Sequence, residues 1–133
     1  MTDADWQRRV AQLVSPSAIG YLAIADQKAC GLAVGRIDDN DTAKAHLFSM
    51  WVAPEVRNRG IGNQLVSAII DWAKSHSLAD LYLMVTSSNR GAIAFYHRLG
   101  FVFTGDTEPY PHDPTLVEYE MMRSLRPLPD WHR

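Results

Sequence analysis

Val52-Ala53-Pro54-Glu55-Val56-Arg57-Asn58-Arg59-Gly60-Ile61-Gly62-Asn63 is the stretch whose reading decides the rest of the chain. Its apolar start stops at Pro54, which has no backbone donor for a strand ladder. A short polar turn follows. Two glycines then open a run with Ile61, Leu65, Ala68, Ile69 and Trp72 at helical spacing. A strand, a tight turn and a helix N-terminus in that order form an anion cradle. The first amides of a helix have no intrahelical acceptor, and the positive end of the helix dipole strengthens their pull on phosphate oxygens. Glycine lets the backbone approach a diphosphate that a Cβ would hold off. Arg57 and Arg59 add charge nearby. On the glycines alone, tight packing of helix on sheet explains the turn equally well. Two rival phosphate motifs do not fit: a Rossmann turn needs a third small residue where Leu65 stands, and a P-loop needs Gly-Lys-Ser/Thr.

Working outward, Ala18 to Ala25 and Ala29 to Ile37 are two β-rich runs around Asp26-Gln27-Lys28, a hairpin signal. Beyond the polar loop Asp38-Asp39-Asn40-Asp41, Ala45 to Ala53 is a third strand, and the short connections make all three antiparallel. Asp3 to Val14 is predicted as a short amphipathic helix, with Trp6, Val10, Leu13 and Val14 on one face. Downstream, Gly60 to Ser75 is a helix and Leu81 to Thr86 a buried strand. Asn89 to Leu99 is a second helix, striped by Ala92, Phe95, Tyr96 and Leu99. Gly100 stands where a left-handed residue ends a helix, with Phe101 as its hydrophobic contact. Phe101 to Thr104 and Leu116 to Met122 are two last strands around a loop rich in proline and acid. The predicted fold class is α/β in the α+β sense: a mixed, mostly antiparallel sheet with parallel strands at its centre, flanked by helices. One domain is expected over residues 1–133, since 47% hydrophobic content supplies one core.

A net charge of −2 leaves no basic footprint for nucleic acid. The lone Cys30, in an apolar run, reads as a packed thiol in a reducing compartment. The N-terminus lacks the pattern of a signal peptide, and no apolar run nears the roughly 20 residues that span a bilayer. A cytoplasmic protein with no membrane partner is the expectation. His76, His97 and His132 have no ligand spacing with one another, so no metal site is expected.

Arg57-x-x-Gly60-x-Gly62 after Val52-Ala53-Pro54 resembles the acyl-CoA signature of the GNAT superfamily of N-acetyltransferases. Asn89-x-x-Ala92-x-x-x-Tyr96-x-x-x-Gly100-Phe101 is similar to that family's second motif, at the expected distance downstream. The two together cover roughly residues 18–125 and are far more specific than either alone. The resemblance implies acetyl-CoA as cosubstrate and two central parallel strands that splay apart to admit its pantetheine arm. Arg57, Asn58, Arg59, Gly60, Ile61, Gly62 and Asn63 would hold the pyrophosphate. Met50, Trp51 and Val52 would bond the arm through backbone groups, with the Val52 amide polarising the thioester carbonyl. Without a cofactor the same segment is an ordinary central strand with a packed tryptophan. Asn89 would touch the arm, although a helix cap explains it too. Tyr96 would protonate the leaving thiolate, against the simpler reading of a packed core tyrosine. Arg90 and Arg98 are secondary candidates for phosphate contact.

For the proton on the acceptor amine, the position at which several family members carry a glutamate base falls here on His46, whose ordinary pKa of about 6.5 suits the task. It alternates with Phe48, Met50 and Val52, so all four are expected on one side of the sheet. Glu118, Glu120 and His112 compete for the same role, and His46 as a polar strand start is the plain alternative. Between Gly100 and Met122 there is no lysine or arginine, but Asp106, Glu108, Asp113, Glu118 and Glu120 are present. With the Asp38 to Asp41 loop they form either an acidic rim for a cationic amine or a solvated surface. Tyr110, Pro111 and His112 are expected to line the acceptor pocket. The family usually places more structure before the first hairpin. Either the acceptor cleft is open here, or a second subunit of a homodimer completes it. The implied activity is direct acetyl transfer to a small-molecule or peptide amine. Its rivals are a regulatory module that binds acyl-CoA without transfer, and an acetyltransferase of protein or peptide amines rather than of small molecules.

Overall fold

The computed structural model describes residues 6–7 and 13–126. Three long antiparallel strands open the sheet: Ala18–Ala25 (β3), Lys28–Ile37 (β4) and Lys44–Val52 (β5). Helix Ile61–Ser75 (α1) leads to strand Asp80–Thr86 (β6), and helix Arg90–Arg98 (α2) leads to Val102–Pro109 (β7) and Val117–Ser124 (β8). Counting Trp6–Gln7 as β1, the strand order is β1-β3-β4-β5-β6-β8-β7, with β5 and β6 as its parallel pair. β8 inserts between β6 and β7, so β7 runs in the direction of β6 without touching it. The mixed, mostly antiparallel sheet with its parallel pair at the centre is as expected.

The predicted N-terminal helix is not. Trp6–Gln7 (β1) and Leu13–Ser15 (β2) are short strands, both paired antiparallel to β3. The rest of the predicted helix, residues 3–5 and 8–12, lies outside the described residues. The free edge of β3 offers unpaired backbone groups, and pairing with them overrides the weak helical periodicity of so short a segment. β7 also runs past the expected stop at Thr104. Gly105, at φ +98°, and a register shift between Phe103 and Thr107 let it continue as an edge strand on β8.

Both helices lie on one face of the sheet. Ile69 and Trp72 of α1 pack over Gly35 of β4, and His97 of α2 sits edge-on to Phe103, with ring centroids 5.0 Å apart. Phe103 shares its face with Met121 and Leu83 through the ladder. Ile69, Leu81, Phe101 and Met121 are fully buried there, each contributing roughly 1.5–3 kcal/mol from its burial. Among the described residues no helix covers the opposite face, and no helix is long and apolar enough to cross a membrane.

α2 ends as its sequence predicts. Gly100 takes φ +93°, its amide donates to His97 O and the Phe101 amide to Tyr96 O, both at 3.0 Å. This paired closure brings the Phe101 ring against Tyr96, 5.7 Å away and edge-on, and so fixes the direction of the Tyr96 side chain.

Candidate active site

The parallel pairing of β5 with β6 stops early. Lys44, Ala45 and His46 pair with Asp80, Leu81 and Tyr82, while β5 continues to Val52 and β6 to Thr86 with no further bonds between them. The two strands part beyond His46. Their separation opens a cleft of about 1120 Å³, walled by the tail of β5, the start of α1, β6, α2 and the β8 carboxylates Glu118 and Glu120.

A bulge in β5 shapes one wall. Val34 pairs with Phe48 but Leu32 pairs with Trp51, so Ser49 and Met50 together oppose Ala33. Ser49 absorbs the extra residue at φ +53°. One extra residue inverts every side chain that follows. His46, Phe48 and Trp51 therefore share the uncovered face, whereas Met50 and Val52 turn to the α1 face. This corrects the expected alternation of His46 with Phe48, Met50 and Val52, which assumed an unbroken pleat. Trp51 is 46% exposed and so is not the packed tryptophan of the plain alternative. The Ala53 amide donates to Cys30 O across β4 at 2.8 Å, so strand alternation aims the Val52 amide away from β4, into the gap.

The cradle forms at the far end of the turn. Gly60 takes φ +79° and precedes α1 without any side-chain cap. The first bond of the helix runs from Gln64 N to Gly60 O, which leaves the amides of Ile61, Gly62 and Asn63 without acceptors among the described residues. A Cβ at position 62 would lie 3.2 Å from Phe95 Cζ and 3.4 Å from Met50 Cε. Asn58, at φ +66°, and Arg57 also line the cleft, and Arg57 Nε donates to Val52 O at 3.3 Å. Arg59 is not part of the lining. Arg98 is, whereas Arg90 is not.

Tyr96 is 7% exposed and lines the cleft, its ring edge-on to Phe95 and Phe101. No described residue hydrogen-bonds its hydroxyl, and burial pushes the phenol up to about 12. Asn89 caps α2, its Oδ1 accepting the Ala92 amide at 3.1 Å, while it also lines the cleft. Both readings of Asn89 are thus compatible with its position. His46, Glu118 and Glu120 line the cleft as well. His112 does not, and neither do Tyr110 and Pro111, which correct the expected pocket wall: the β7–β8 loop folds on itself, with Tyr110 packed on His112 at 5.5 Å. Among the described residues no three His, Cys, Asp or Glu side chains cluster as metal ligands would.

The family model described as the acetyltransferase (GNAT) family matches residues 2–101. The chain belongs to the GNAT acetyltransferase family. This GNAT chain is 34% identical over 77 residues to the ribosomal protein bS18-alanine N-acetyltransferase of Salmonella typhimurium, covering 58% of itself and 50% of that relative. It is 33% identical over 105 residues to the streptothricin acetyltransferase of Streptomyces lavendulae, covering 71% of itself and 56% of that relative. It therefore spans about half the length of these relatives. Among solved structures, nourseothricin acetyltransferase superposes with a TM-score of 0.76 at 24% identity, over 84% of this chain and 67% of that one. A Bacillus anthracis protein solved in complex with acetyl coenzyme A gives 0.74 at 23%, over 83% and 64%. These likenesses establish the fold.

One residue of this GNAT site escaped the sequence. Asp38 Oδ2 lies 2.7 Å from His46 Nε2, joining the β4–β5 loop to the cleft wall. The His46 hydrogen bond, helped by the Asn40 and Asp41 amides, holds the Asp38 carboxyl below the usual carboxylate range. The Asp-Asp-Asn-Asp run signals a turn, but nothing in it points eight residues on to a histidine.

Proposed function

We propose that this chain is an N-acetyltransferase that moves the acetyl group of acetyl-CoA to a cationic amine by direct attack, with both substrates bound together in the cytoplasm. The observation that carries the reading is the cleft itself. It joins, in one space, a helix start with three amides and a buried phenol that no described residue hydrogen-bonds, and a strand end with an outward amide.

The residues present fit a diphosphate-bearing thioester. The amides of Ile61, Gly62 and Asn63, with Arg57 and Asn58, hold the pyrophosphate; backbone groups of Met50 and Val52, with Asn89, hold the arm, whereas the alternation that frees the Val52 amide turns the expected Trp51 backbone toward Leu32 of β4. Arg59, off the cleft wall, contributes only long-range charge. Acetyl-CoA supplies an activated acyl group whose carbonyl gains negative charge on attack. The Val52 amide is the donor available to that oxygen, a contribution of typically about 3 kcal/mol. His46 takes a proton from the acceptor ammonium and later releases it to solvent. Tyr96 gives its proton to the departing sulfur and recovers one, through solvent, from the acylated nitrogen. Transfer to an ammonium thus releases one proton overall. Glu118 and Glu120, across the cleft from His46, favour a cationic acceptor. No covalent nucleophile is required, since Cys30 is buried away from the cleft and donates to Ala23 O.

Calorimetric titration with acetyl-CoA, CoA and desulfo-CoA tests the reading first. Saturable binding of all three is expected, followed by thiol release when polyamines, aminoglycosides or N-terminal peptides are added. Binding without release across those acceptors would favour a regulatory module. A folded sample that binds none of the three would remove the enzyme.

A further inference from the structure

The reaction as described leaves the β4–β5 loop without a task, yet this loop is tightly built around one carboxylate. Asp38 Oδ1 accepts the amides of Asn40 at 2.8 Å and Asp41 at 2.9 Å, and Oδ2 receives His46 Nε2 at 2.7 Å. The Asp38 amide donates to Lys44 O at 2.9 Å and the Lys44 amide to Asp41 O at 3.0 Å, so the loop is closed at both ends. The carboxylate therefore has one orientation. The imidazole is equally confined, with ring centroids 5.8 Å from Phe48 and 5.9 Å from Tyr82. The other charges near it are engaged elsewhere. Arg36, opposite His46 on β4, contacts Asp39 at 3.5 Å; Lys44 Nζ lies 4.9 Å above the Tyr82 ring; Glu120 receives the Thr104 hydroxyl at 2.9 Å.

We propose that Asp38 is a positioning residue for acetyl transfer, holding His46 in the tautomer whose Nδ1 carries the lone pair that accepts the amine proton. The inference rests on the reading of His46 as the base. An ionised carboxylate can only accept, so Nε2 must carry the hydrogen, and in a neutral ring the lone pair then belongs to Nδ1. No described residue hydrogen-bonds Nδ1. When a proton passes from the amine nitrogen to Nδ1 the ring becomes a cation, and the existing Nε2–H bond becomes an ion pair without any movement. Asp38 stays ionised throughout and receives no proton.

The geometry makes Asp38→Asn an unusually sharp test. The backbone amides of Asn40 and Asp41 require an oxygen where Oδ1 stands, so the new amide nitrogen takes the place of Oδ2. It donates to Nε2 and forces the ring hydrogen to Nδ1. Nitrogen-15 spectra of histidine-labelled free protein should show His46 as the Nε2–H tautomer in the natural chain and Nδ1–H in Asp38→Asn. The kcat for an accepted amine should fall on the order of 100-fold, the scale of a lost general base, with KM for acetyl-CoA unchanged. Asp38→Glu, which keeps a carboxylate, should restore part of both. An Nδ1–H ring in the natural chain overturns the proposal, as does an Asp38→Asn protein with switched tautomer and full kcat. Full activity in His46→Gln would instead sink the base reading itself, whatever the tautomer. Loss of activity in His46→Gln with an unaffected Asp38→Asn would remove Asp38 alone.

Discussion

Replacing Tyr96 with phenylalanine should make the protein slower and, at the same time, no less stable. The ring is 7% exposed and packs edge-on to Phe95 at 5.2 Å and Phe101 at 5.7 Å, contacts that phenylalanine keeps. Only the hydroxyl is lost, and no described residue hydrogen-bonds it. A buried hydroxyl without a partner costs about 1–3 kcal/mol relative to water, so Tyr96→Phe should gain about 1 kcal/mol, or roughly 4 °C in Tm. Turnover should fall on the order of 100-fold if the hydroxyl protonates the leaving sulfur, with CoA affinity unchanged. Thermal unfolding, CoA titration and thiol-release kinetics on the same preparation read all three. A structural tyrosine gives the opposite pattern of lower Tm and intact turnover, and that result would refute the assignment. The pH dependence gives a second check. Burial raises the phenol to about 12 from an ordinary 10, so below pH 10 both folded and unfolded chains hold the proton and stability is unaffected. Between pH 10 and 12 the unfolded chain ionises first and the native state loses stability. The acid itself should stay protonated through any ordinary assay, with no falling limb of kcat below pH 10 that Tyr96→Phe removes.

Gly62→Val should abolish measurable CoA binding by calorimetry while retaining the circular dichroism of the fold; a Cβ there already stands 3.2 Å from Phe95 Cζ, and the added methyls fill the cradle. Asn89→Ala should lose about 1 kcal/mol with the bond to the Ala92 amide, seen as a Tm lower by roughly 4 °C. If CoA affinity falls by more than the stability change explains, Asn89 also holds the arm. Asp38 should shape acid unfolding. Its carboxyl is lowered chiefly by the His46 hydrogen bond, so its stabilisation is present above the ordinary carboxylate range and is lost as pH falls through the lowered value. Fluorescence-monitored acid titration should show the unfolding limb of Asp38→Asn flattened in that window.

Most of this fold was legible because the informative residues act locally. Pro54, Gly60 and Gly62 punctuate a strand, a turn and a helix within a dozen residues, and Gly100 with Phe101 ends α2 through bonds only five residues apart. The failures are all non-local. The β5 bulge rests on Ser49 at φ +53°, a residue type with no special claim on that conformation, so no turn chemistry announces it. Trp6 and Leu13 form strands because β3 has an edge to pair with, and a helical wheel drawn on Asp3 to Val14 cannot see that edge. Asp38 was visible as a turn former and hidden as the partner of His46, because loop closure alone brings the two together. Tyr110 and His112 failed for a similar reason, since an acidic, aromatic loop reads alike whether it faces a cleft or itself.

The bulge also explains why one strand can serve both substrates. Along an unbroken β5, His46 and Val52 would lie on the same face and compete for the same space. The extra residue at Ser49–Met50 turns Val52 toward α1, where the amides of its first turn wait, and leaves His46 with Phe48 and Trp51 on the uncovered face. Under the proposed function this gives the cofactor and the amine separate approaches to the gap between β5 and β6. Deleting Ser49 would leave Met50 alone opposite Ala33, with Met50 and Val52 still on the α1 face, but it would remove the bend that the bulge gives β5 and so narrow the gap to β6 where the two substrates meet. The cradle would survive, because Gly60 and Gly62 follow Pro54 at unchanged spacing, so the deletion should still bind CoA while losing transfer. Loss of both together would mean that the bulge supports the turn as well, and that the two halves of the cleft are one folding unit.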